Sequence, residues 1–132
     1  MAINIDIFKP QVSVVARGLT GKTILLYGGN NVGKTYSAAH MSKPFFLACE
    51  SGLNALSGVK YASINNWRDF RKVVKQLTDK GTVDKARELY DTIVIDEVYA
   101  SSIFCQDYVI STYGNGALSL ADGDSKHNLY SA

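Results

Sequence analysis

Cysteine is scarce, at two residues in 132, and neither belongs to a CxxC pair. With only two isolated histidines besides, His40 and His127, the chain has no zinc-ligand set. Cys49 and Cys105 read as free thiols in a reducing compartment. No apolar run approaches the ~20 residues that cross a bilayer. The opening MAINIDIFKP lacks a basic patch followed by an apolar stretch, so no signal peptide is expected. These absences predict a cytoplasmic protein with no membrane partner. Proline is scarce too, at two residues, and 11 glycines without a period exclude collagen-like and low-complexity chains. Neither charge is in excess. Fourteen basic and 12 acidic residues leave a net +2, which alone makes no case for nucleic acid or membrane.

What is present suits one globular domain. Apolar residues make up 46% and charged residues 20%, enough for a packed core. The length fits one domain of roughly 150 residues and argues against two. A single domain over 1–132 is therefore expected, with N-terminal strands and a turn over 1–21 and a polar tail over 114–132. Residues 3–7 and 12–15 alternate like short strands, divided by Pro10. Thr23–Tyr27 is a continuous apolar run, which predicts a strand buried on both faces of a parallel sheet. A glycine-rich loop follows, then a short helix from Lys34 to about Met41, with Pro44 beyond it. Phe45–Cys49 predicts a second buried strand and Val59–Ile64 a third. Asn65-Asn66 offers an N-cap with Asp69 in the first turn. Trp67, Phe70, Val73, Val74 and Leu77 then fall on one helical face. A helix capped by Thr82 is expected to about Tyr90, a strand over 92–95 and a helix over 99–113. Strands alternating with helices predict an α/β fold with a parallel sheet.

Residues 28–35 read Gly-Gly-Asn-Asn-Val-Gly-Lys-Thr, which fits G-x-x-x-x-G-K-[ST]. The pattern sits where its mechanism needs it, after an apolar strand and opening a helix. Gly28 and Gly33 allow backbone angles that a side chain forbids. The loop of Gly28, Gly29, Asn30, Asn31, Val32 and Gly33 then turns its N–H groups toward phosphate oxygens, helped by the helix dipole. Lys34 reaches the β- and γ-phosphates and Thr35 places its hydroxyl on Mg²⁺. Tyr36 follows directly and is a candidate for contact with the base. The second element is Thr92–Glu97, an apolar strand delivering Asp96 as a metal-site carboxylate at its C-terminal end. ATP and Mg²⁺ are the expected ligands. Two residues compete for the attacking water: Glu97, next to Asp96, and Glu50, at the end of the preceding strand.

GGNNVGKT, FFLACESGL and YDTIVIDEV, in that order, resemble the RecA-like P-loop ATPases encoded by phages, often described as AAA-family ATPases. The resemblance covers roughly residues 15–113. It implies a RecA-like parallel sheet with flanking helices, ATP hydrolysis, and a role in recombination and single-strand DNA annealing in the host cytoplasm. By the resemblance Glu50 matches the RecA-like glutamate, while Glu97 matches the adjacent-glutamate pattern of the wider ATPase class. Such proteins place a further strand between the phosphate-loop strand and the metal-site strand. Here the stretch after Asp96 holds one helix and a polar tail, so the sheet is expected to be incomplete. An unpaired apolar strand is costly and invites association, so a marginal or homo-oligomeric chain is expected.

Arg68, Arg71, Lys72, Lys75, Lys80, Lys85 and Arg87 form the most basic region. They read either as a solvated helix face interrupted by acids or as a track for DNA phosphates. The eight tyrosines read mainly as packing residues, with base stacking as the alternative. A non-catalytic nucleotide-binding module is the main competing function. A small-molecule or nucleotide kinase is less favoured, since the polar tail holds no arginine for a lid. A GTPase is disfavoured, since no Asn-Lys-x-Asp follows Asp96.

Overall fold

The computed structural model describes residues 18–50 and 56–114. The alternating runs at 3–7 and 12–15, part of the loop after Glu50, and the expected tail beyond Gly114 lie outside the described residues. The order of elements is α1 (Lys34–Ala39), β1 (Pro44–Ala48), β2 (Lys60–Ser63), α2 (Trp67–Thr78), α3 (Val83–Leu89), β3 (Thr92–Asp96) and α4 (Val98–Tyr113). The three strands form one parallel sheet in the order β2-β1-β3. Pro44 opens β1, a position where its missing N–H costs the ladder least.

The central strand β1 buries its two faces against different layers. Phe46 and Ala48 of β1 pack with Ala38 of α1, joined by Val94 and Val59. Leu47, Cys49 and Ile64 form the opposite cluster, covered by Phe70, Val73, Val74 and Leu77 of α2 and by Ala100 and Phe104 of α4. Phe46 is fully buried, at 0% exposure. Helix α2 takes its first turn from its cap, because the Asn66 side chain accepts from the Asp69 N–H at 2.9 Å. The apolar face expected from the spacing is the one that meets the sheet. Ser42 and Lys43, ahead of β1, reach Asp91, ahead of β3, at 2.6 Å and 3.7 Å.

One expected strand is absent. Residues 22–28 carry no strand pairing, and Leu25 and Tyr27 are 72% and 88% exposed. The continuous apolar run therefore does not make the buried strand predicted for Thr23–Tyr27. A strand needs a hydrogen-bonded neighbour, and the pairings among the described residues join only β1 to β2 and β1 to β3. The outer edge of β3 is consequently open within the described residues. Ile93 and Ile95 remain 46% and 40% exposed on the face where Phe45 and Leu47 are covered.

Candidate functional site

The loop from Gly28 to Gly33 joins the irregular segment to α1, and its shape is imposed by glycine. Gly28 has φ +152°, and a Cβ there would meet Val32 Cγ2 at 3.1 Å. Gly33 has φ +94° in open space, so at this position the torsion and not crowding excludes other residues. Asn31, at φ 60°, is a residue type that tolerates the left-handed region. Gly29, Asn30 and Val32 complete an exposed loop. Lys34 opens α1 and turns back over it, donating from Nζ to Gly28 O at 2.9 Å and to Gly29 O at 2.7 Å. Its ammonium is thus held at the mouth of the loop by two carbonyls.

Thr35 Oγ1 donates to Asp96 Oδ2 at 3.0 Å. This contact joins the loop to the C-terminal end of β3. A hydroxyl beside a carboxylate is a hard-oxygen pair of the kind that suits Mg²⁺, so the donor chemistry fits the ion the sequence pointed to. Tyr36 lies on the exposed side of α1, with its ring 4.2 Å from that of His40. His40 Nδ1 lies 2.8 Å from Tyr36 O.

The two competing glutamates are brought together. Ala48 pairs with Asp96 across β1 and β3, and Cys49 N donates to Asp96 O at 2.7 Å. Residues 50 and 97 therefore leave neighbouring parallel strands at the same end. The charge of Glu97 pushes the Glu50 carboxyl above its ordinary range, followed by burial, a hydrogen bond with Glu97 and the charge of Asp96. Separate candidates in the sequence are one carboxylate cluster in the fold. The signal for it was the strand register, which spacing along the chain does not reveal. Cys49 lies beneath this cluster; burial, then the charge of Asp96, pushes its thiol up. It is a protonated packing group rather than a nucleophile.

Comparison with known proteins places this arrangement in a family. The sequence model described as an AAA domain matches residues 20–129. Over 117 residues the chain is 50% identical to the SPbeta prophage-derived uncharacterized protein YorG of Bacillus subtilis (strain 168). That stretch is 85% of this chain and 36% of the relative, so the chain spans little more than a third of the relative's length. No solved structure matches. No helix among the described residues is long and apolar enough to cross a membrane.

Proposed function

The chain belongs to the AAA domain family, and from that premise we propose that it binds Mg²⁺-ATP at the Gly28–Thr35 loop and hydrolyses it in the handling or recombination of single-stranded phage DNA. The observation that best supports this reading is the 3.0 Å contact between Thr35 and Asp96. It brings the loop and the end of an apolar strand together, as phosphoryl chemistry needs. In this reading the loop N–H groups and Lys34 hold phosphate oxygens. Lys34 exchanges its two bonds to neutral carbonyls for bonds to anionic phosphate oxygens. Thr35 and Asp96 would hold a Mg²⁺, which would supply positive charge to offset that of the phosphates. Glu50 accepts the proton of the attacking water. The charge of Glu97, the largest cause, and that of Asp96 raise its proton affinity above the ordinary carboxylate range. The prophage-derived relative supports the phage setting. The exposed apolar residues of 24–27 and of β3 support self-association of the chain.

Binding without turnover is the second reading. It is favoured by the segment leading into the loop, which no strand pairing fixes. Single-turnover hydrolysis separates the two, because a binding module releases ATP unchanged.

The test of the site is Mg²⁺-ATP affinity in wild type and Lys34→Ala, by calorimetry. Loss of a charge-assisted bond is worth about 1.5–3 kcal/mol, so affinity is expected to fall roughly 10- to 100-fold. Equal affinity would remove the loop from the binding site.

A further inference from the structure

We propose that the outward face of α2, bordered by two tyrosines of α4, is a docking surface for a single-stranded nucleic acid. Arg68, Arg71, Lys72 and Lys75 lie at i, i+3, i+4 and i+7, so they form one stripe about 10 Å long. All four are exposed, opposite the face that Phe70, Val73, Val74 and Leu77 press against the sheet. Like charges at these spacings repel, and carboxylates on the same helix would ordinarily offset them.

The two acids in or ending this helix bond within their own cap and turn. Asp69 Oδ2 accepts from Asn66 Nδ2 at 2.9 Å and from Asn65 N at 3.3 Å. Asp79 Oδ1 accepts from Gly81 N at 3.3 Å. Among the described residues the only ion pair joins Lys43 to Asp91, away from α2. Among the described residues the stripe is therefore a cationic track without ion-pair partners, and a polyanion is its chemical complement.

The tyrosines decide which polyanion. The Arg71 guanidinium lies 5.9 Å from the Tyr108 ring centroid, with Nη1 3.4 Å from Tyr108 Oη. Tyr113 stands edge-on to Tyr108 at 6.5 Å and is 45% exposed. Aromatic and guanidinium planes beside a phosphate track stack on unpaired bases. A duplex keeps its bases stacked inside, and an acidic peptide has no base to stack on these rings. This surface deepens the proposed function and rests on it for the strand's role, but nucleotide binding at the loop does not enter the argument.

The experiment measures anisotropy of a labelled oligothymidylate bound by the whole chain at several salt concentrations. It compares wild type with Arg68→Glu/Lys72→Glu/Lys75→Glu, the same three positions as Gln, Tyr113→Ala and Lys34→Ala. The Glu variant is expected to lose affinity roughly tenfold or more, with a salt slope smaller by about 0.7 for each phosphate contact removed. The Gln variant should fall between the two and covers the case in which charge reversal disturbs folding. Tyr113→Ala should weaken binding and leave the salt slope unchanged. Lys34→Ala should bind the strand as wild type does. Unchanged affinity and slope in both triple variants would overturn the proposal. Equal competition by a duplex of the same length, or by polyglutamate, would overturn it too. ATP affinity is measured on the same preparations. Failure of ATP binding in wild type with a stripe-dependent strand signal counts against the loop alone, and the reverse pattern counts against the stripe alone.

Discussion

Glu50 shows how a neighbour changes what a residue can do. The charge of Glu97, then burial, a hydrogen bond with Glu97 and the charge of Asp96 raise its proton affinity above the ordinary 4.5. The folded chain then holds this proton more tightly than the unfolded chain. Its contribution to stability is greatest below pH 4.5 and is lost as pH rises through the raised folded-state value. Glu50→Gln removes the repulsion, so the variant should melt above wild type at neutral pH, with the gap closing in acid. Thermal melts at the two pH values check this, and a lower melting point at neutral pH would contradict it. The same substitution tests catalysis. With ATP binding retained, Glu50→Gln should lose roughly a hundredfold or more in hydrolysis, and Glu97→Gln markedly less. The opposite order would make Glu97 the base.

Among the elements, α2 and the run before the phosphate loop respond differently to the same kind of reading. Helix α2 follows from its own residues. Its apolar spacing selects a face and Asn66 closes its first turn reciprocally with Asp69. Asn66→Ala should cost about 1 kcal/mol, read as a lower denaturant midpoint at unchanged m-value. Thr23–Tyr27 has an equally clear apolar pattern and makes no strand. The difference lies in where the hydrogen bonds close. A helix satisfies its backbone within its own segment, whereas a strand depends on a neighbour supplied by distant residues.

At the scale of the molecule, the order β2-β1-β3 leaves β3 as an edge among the described residues, with Ile93 and Ile95 only partly covered. An edge of this kind pairs readily with another chain. The chain is expected to sediment as concentration-dependent oligomers, and Ile93→Lys to shift it toward monomer with little change in melting temperature. A wild-type chain that stays monomeric at high concentration, with one cooperative melt, would rule this out.

The αβ alternation, the start and apolar face of α2, and the glycine loop ahead of Lys34 were legible in the sequence. Each rests on local physics: the 3.6-residue period, the capping side chain, and torsions that only glycine adopts freely. Tertiary structure decided three things that no local pattern carries. Residues 22–28 stay unpaired, because strand formation depends on a partner remote in the chain. Glu50 and Glu97 meet, because the parallel register of β1 and β3 ends both strands at one place. The cations of α2 have no ion-pair partner among the described residues, and the oxygens of Asp69 and Asp79 bond within a cap and a turn instead. Sequence spacing counts those acids as neighbours, but the fold directs their oxygens to the backbone and to Asn66.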